Sequence, residues 1–157
     1  MNLKRRHVLK TGGGATLLAL LAAAGWLEPK SALAAEWNKG AFDTKSIDDT
    51  LKALGGGGFT QSKDITFVST PDIAENGAVV PIGIVSAVPK TESIAILVEK
   101  NPNTLAAVFD IPAGTEPAIT TRIKMGQTSN VYALVKADGK FYAAAKEIKV
   151  TLGGCGG

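Results

Sequence analysis

Histidine and cysteine each occur once in the 157 residues, as His7 and Cys155. One cysteine cannot close a disulfide within the chain, so no covalent staple holds the fold. His7 belongs to a basic leader. Beyond it the chain has no histidine, which excludes a Ser-His-Asp or Cys-His arrangement built from this chain alone. It also excludes histidine-based zinc, haem or copper sites. No phosphate loop is present. Gly55 to Gly58 lacks the following Lys-Ser/Thr and no strand precedes it, so the run reads as a helix stop and linker. Asp48 and Asp49 are sequence neighbours, which do not face each other on a helix. They read as solvated charges. No internal repeat is visible.

Residues 1–34 carry an address. Paired Arg5 and Arg6 lie in a basic start, the uncharged Ala/Leu/Gly-rich stretch Thr11 to Leu27 follows, and Ala32-Leu33-Ala34 supplies small residues for cleavage. This is the layout of a secretory signal. Arg5-Arg6-x-Val8-Leu9-Lys10 resembles the twin-arginine export signal, with Lys4 and Val8 where that pattern prefers Ser/Thr and Phe. The apolar run is broken by Gly12-Gly13-Gly14 and no cysteine follows the cleavage site, so neither a stable membrane anchor nor a lipoprotein is expected. The leader takes five of the 17 basic residues and one of the 14 acidic ones. The mature chain then holds 12 basic against 13 acidic residues. The high isoelectric point thus belongs largely to the leader, and no basic surface for nucleic acid is expected.

The body, residues 35–152, reads as a short helix followed by strands. Thr44 is the expected N-cap, Ile47, Leu51 and Leu54 form an apolar stripe, and Gly55 stops the helix. About seven β-like runs follow, at 65–69, 78–87, 93–100, 105–110, 118–125, 130–137 and 140–152, with prolines and glycines between them. Asp138-Gly139 is a two-residue hairpin signal. Pro81, inside a run, marks an edge or a bulge. Short strands at this spacing predict an all-β fold, an immunoglobulin-like antiparallel β-sandwich. Trp37 and Phe42 ahead of the helix suit a core or hydrophobic-staple role better than partner contact.

The segment 153–157 carries the chemistry. Cys155 lies between Gly153-Gly154 and Gly156-Gly157, which offer no side chains to bury a thiol. An exposed thiol in an oxidising compartment is a liability that calls for a purpose. Glycines accept almost any backbone conformation. Two of them span roughly 7 Å and all five residues roughly 17 Å at full extension. Such an arm can enter a narrow channel, present a thiolate as a sulfur nucleophile and withdraw. With no histidine in its own domain, activation falls to a partner's site. The protein then acts as a substrate-bearing carrier and not as an enzyme.

The ending Lys149-Val150-Thr151-Leu152-Gly153-Gly154-Cys155-Gly156-Gly157 resembles that of the SoxY family. Matching segments are Pro71 to Pro81 (PDIAENGAVVP), Glu99-Lys100-Asn101-Pro102 and Arg122 to Thr128 (RIKMGQT). The resemblance implies an immunoglobulin-like sandwich in the periplasm, a heterodimer with SoxZ, and no cofactor of its own. It implies that thiosulfate is conjugated to Cys155 by the haem enzyme SoxAX. The manganese hydrolase SoxB then releases sulfate, and in some systems SoxCD oxidises the remaining sulfur. Gly153, Gly154, Gly156 and Gly157 become the swinging arm. Asn76 and Asn101 fall in family motifs, where turn and bulge formation is the simpler role.

Other readings stand beside this one. Gly156-Gly157 also fits ubiquitin-like carriers that use a terminal thiocarboxylate, but those need cytoplasmic ATP chemistry and have a different strand-helix pattern. An exported interaction module that dimerises through Cys155 is the main alternative. A prenyl anchor needs three residues after the cysteine, and two follow here.

Overall fold

The computed structural model describes residues 38–151. The leader and residues 152–157, with Arg5, Arg6, Trp37, Cys155 and the four arm glycines, lie outside the described residues. No helix among the described residues is long and apolar enough to cross a membrane.

Two helices open the body, α1 (Lys39–Phe42) and α2 (Ile47–Ala53). The helix start differs from the sequence expectation. Ser46, not Thr44, caps α2: its Oγ accepts from Asp49 N (3.1 Å) and donates to Asp49 Oδ2 (2.7 Å). Ser46 has the extended backbone an N-cap needs. Thr44 instead donates to Ala41 O and shares a hydrogen bond with Thr50 Oγ1, tying α1 to α2. Gly55 does stop the helix, in the left-handed region at φ 87°. Asp48 and Asp49 are both exposed, Asp49 serving the cap.

Seven of the nine strands fall where the sequence places them. They are β2 (Ile65–Val68), β4 (Val80–Ser86), β5 (Thr91–Val98), β6 (Leu105–Asp110), β7 (Ala118–Ile123), β8 (Ser129–Ala137) and β9 (Lys140–Val150). Asp138 and Gly139 turn the β8–β9 hairpin with φ of 51° and 72°, the positive values a two-residue loop requires. The additional strands are β1 (Thr60–Gln61) and β3 (Ile73–Ala74). Each pairs in parallel with β9, β1 at Tyr142–Ala143 and β3 at Lys149–Val150. The larger sheet runs β1-β9-β8-β5-β6, the smaller β2-β4-β7.

The two sheets enclose the main core. Ile82, Ile84 and Val80 of β4 meet Ile94, Ile96, Val98, Val131, Val135 and Ile148 of the large sheet, all fully buried. The opposite face of the large sheet is also covered. Ala95, Leu97, Leu134 and Phe141 pack beneath Ala41 and Leu51 of the helices, with Phe42, Ile47 and Leu54 partly buried against them. This third layer explains why Ile94 to Val98 is buried at every position instead of alternating. Truncating a fully buried residue such as Ile148 to Ala should cost ~2–5 kcal/mol.

Pro81 lies on the central strand of the small sheet, opposite Arg122. The β2 ladder has already ended at the Val68–Gly83 pair. Gly83 N–H points to that side, to Thr70 Oγ1, so by alternation the Pro81 nitrogen does too, where no strand remains to bond it. The strand is central, but at Pro81 it is locally an edge.

Candidate functional site at the root of the C-terminal segment

The chain leaves the sheet at Val150 and Thr151. Cys155 follows four residues later, outside the described residues. Its root is held from several sides. On one side β8 ends at the Ser129–Ile148 pair, and Thr128 extends the ladder with its side chain. Thr128 Oγ1 accepts from Val150 N (3.0 Å) and donates to Val150 O (3.5 Å). On the other side lies β3. Lys149 N donates to Asp72 O (2.9 Å) and Thr151 N to Ala74 O (3.1 Å), while Thr151 Oγ1 reaches Glu75 O (3.5 Å). A two-residue strand has no periodicity of its own. It forms here because β9 offers a free edge and Ala74 drops into the main core.

The turn after β3 closes against β7. Asn76 Oδ1 accepts from Ala78 N (2.9 Å) and Asn76 O from Val79 N (3.3 Å), an Asx-turn of the kind expected from its residue type. Gly77 O then accepts from Met125 N (2.7 Å). A Cβ on Gly77 would strike the Met125 carbonyl and come within 2.9 Å of Val150 Cγ1. Only glycine lets this backbone lie so close to the Met125 carbonyl and the Val150 side chain.

Asn101 does more than shape a turn. Its Nδ2 donates to Lys124 O (2.7 Å) and its Oδ1 accepts from Gly126 N (3.1 Å). This ties the β5–β6 loop to the loop after β7. Gln127 Nε2 donates back to Lys100 O (3.3 Å), and Lys100 N donates to Ser129 Oγ (3.0 Å). The segments 71–81, 99–102 and 122–128, far apart in sequence, therefore meet around the end of β9.

Lys146 fixes the approach to this root. Its partly buried ammonium donates to Thr70 O (2.6 Å) and pairs with Asp72 Oδ1 (3.0 Å). Thr70 Oγ1 also bridges to Gly83 N and O (3.1 and 3.3 Å). The 68–74 crossing is thus pinned to both sheets. Sequence reading missed Lys146, Gly77 and Thr128 as positioning residues; only Gly77 and Thr128, inside the quoted motifs, carried any signal.

On the helix-covered face, Phe59 packs edge-to-face on Tyr132, with ring centroids 6.4 Å apart. Burial, with the Glu99 carboxylate adding to it, raises the Tyr132 hydroxyl above its ordinary value of 10.0. Glu99 also accepts from Asn130 Nδ2 (2.9 Å). Among the described residues no three His, Cys, Asp or Glu side chains gather as metal ligands. The arrangement can grip a peptide root.

A family model described as sulfur oxidation protein SoxY matches residues 51–155. The solved sulfur carrier protein SoxY from Chlorobium limicola f thiosulfatophilum is 34% identical and aligns over 72% of this chain and 97% of its own, with a TM-score of 0.62. The human F-spondin reeler domain aligns at 11% identity over 58% of this chain and 95% of its own, with a TM-score of 0.32. No curated protein matches the chain.

Proposed function

The chain belongs to the SoxY family, the sulfur carriers of the Sox system, and we propose that it carries thiosulfate-derived sulfur covalently on Cys155, with Gly153, Gly154, Gly156 and Gly157 as a swinging arm. The observation that supports this most directly is the convergence of segments 71–81, 99–102 and 122–128 on the root of that arm. A carrier needs a rigid body, a fixed exit point and a slender tether.

The chemistry balances as two steps. In the first, the Cys155 thiol and thiosulfate join through a new S–S bond to give R–S–S–SO3⁻. Two electrons and the thiol proton leave, the electrons to the haems of SoxAX. In the second, water attacks the terminal sulfone at SoxB, the S–S bond breaks, and sulfate departs with two protons, leaving R–S–S⁻. SoxCD, where present, would oxidise that remaining sulfur. The carrier supplies attachment and reach and is itself non-catalytic. SoxZ is the proposed heterodimer partner. The periplasm is the proposed compartment, reached through the Arg5-Arg6 signal, with the leader removed near residue 34.

The intact mass of protein from thiosulfate-grown cells tests this, with and without reductant. Reductant-labile additions of thiosulfate or sulfane sulfur on the peptide containing Cys155 are expected. Cys155→Ser should abolish thiosulfate-dependent cytochrome reduction in a reconstituted system; retained activity would refute the carrier role.

A further inference from the structure

The outer strand of a sheet carries unpaired backbone groups, and an unprotected edge is a template for another strand. Among the described residues three of the four sheet edges are managed. β1 and β3 have two residues each, β2 has four and follows Lys63 and Asp64, and β7 carries Arg122. The fourth edge, β6, differs. Its sequence Leu-Ala-Ala-Val-Phe-Asp has five apolar residues in a row and no lysine, arginine or proline. Ala106 to Phe109 are only half-buried. A bulge opposite Leu97 interrupts the strand near its start. The ladder fixes which backbone groups face outward. Ile111 N donates to Glu92 O (2.8 Å), so in the same register Phe109 bonds Ile94 and Ala107 bonds Ile96. Val108 and Asp110 fall between these bonded pairs. Their N–H and C=O groups point away from β5, and no strand among the described residues receives them.

Side chains alternate along the same strand. Val108 packs with the helix-covered cluster and Phe109 with the main core. A strand added beside β6 lengthens both apolar layers, so it must be apolar on both faces and uncharged at its centre. We propose that the outer edge of β6 is where the second subunit adds such a strand to the large sheet. The arm decides between the edges. Cys155 lies four residues beyond Thr151, at most ~14 Å of chain, and has to enter one enzyme after another. A permanent partner must therefore leave the end of β9 open. β1 and β3 already occupy the outer edge of β9. β6 stands three strands away in the order β9-β8-β5-β6, about 14 Å at ~4.8 Å per strand. A subunit there lies beside the arm without covering its exit. Backbone hydrogen bonds give such a joint affinity, and the alternating side chains give it specificity. This inference rests on the heterodimer reading above.

Amide hydrogen exchange tests this, on the chain alone and with the SoxZ subunit of the same system. Alone, the Val108 and Asp110 amides should exchange faster than those of Ala107 and Phe109, which bond β5. With SoxZ bound they should slow by about a hundredfold. Val108→Pro and Asp110→Pro each remove an outward N–H without touching the β5 ladder, and each should weaken SoxZ binding about tenfold or more. Val108→Ala and Asp110→Asn keep that N–H and should stay within about threefold of wild type. If Val108→Pro fails to fold, Asp110→Pro, at the exposed end of the strand, carries the comparison. Amides that stay fast in the complex, or proline variants that bind like their controls, overturn the edge and leave the heterodimer standing. Protection that grows with the concentration of the chain alone makes the occupant a second copy and overturns the proposal as well. If the wild-type chain binds no SoxZ, the heterodimer reading itself fails and takes this edge with it.

Discussion

Gly77→Ala tests whether the root of the arm is as tightly closed as its packing indicates. The added methyl would press on the Met125 carbonyl oxygen and lie 2.9 Å from Val150 Cγ1. One obstacle is backbone and the other is a side chain already packed against the main core, so neither can yield cheaply. Overpacking of this kind costs ~1–3 kcal/mol. Distorting the Met125 N–H to Gly77 O bond (2.7 Å) adds about 1 kcal/mol. A sum of ~2–4 kcal/mol should lower Tm by about 8–15 °C at roughly 4 °C per kcal/mol. Gly57→Ala is the matched control, because nothing lies within 4 Å of its added carbon and its φ is not positive. It should be neutral or stabilise by up to ~1 kcal/mol through the unfolded chain. Urea and thermal unfolding measure both, and amide exchange at Val150 and Thr151 should quicken in Gly77→Ala alone. If Gly77→Ala lies within ~0.5 kcal/mol of wild type, or if Gly57→Ala is equally damaging, the close-approach argument is wrong.

Lys146→Met should cost ~1–2 kcal/mol because it strands the Thr70 carbonyl, whereas Asp72→Asn, whose side chain is 88% exposed, should cost under ~0.5 kcal/mol; equal losses in urea titrations would show that the ion pair dominates. Asn101→Ala removes two bonds between loops and should destabilise by ~1–3 kcal/mol, more than Asn76→Ala, which removes one local bond. Tyr132 should ionise above its ordinary 10.0, and Glu99→Gln should bring it down, as followed by ultraviolet difference titration. Since the folded state holds this proton more tightly than the unfolded chain, its contribution to stability is complete below pH 10 and is lost as pH rises through the folded value. A folded Tyr132 titrating at or below 10 would contradict this.

Several features were legible because their causes are local. A stripe at helical spacing, runs rich in Val and Ile, and Asp138-Gly139 state their conformations within a few residues, so α2, seven strands and the last hairpin lie close to where they were expected. The cap moved from Thr44 to Ser46 because two hydroxyls compete over three residues, and Thr44 is spent joining α1 to α2. Pro81 shows the same mixture: its missing donor is written in the residue type, but whether a strand stands opposite depends on where β2 ends.

By itself, then, the sequence determined the sheet-forming segments, the absence of histidine after His7, the lone thiol between glycines and the motifs of the family. Tertiary structure alone decided the helical layer over the second face of the large sheet and the pairing of β1 and β3 with β9. It alone brought Lys146 to Thr70, Gly77 against Met125 and Val150, and three separate segments around one strand end. The physical reason is range. Periodicity and turn chemistry act between neighbours, whereas a two-residue strand, a missing Cβ or a single bridging amide has meaning only beside a partner tens of residues away.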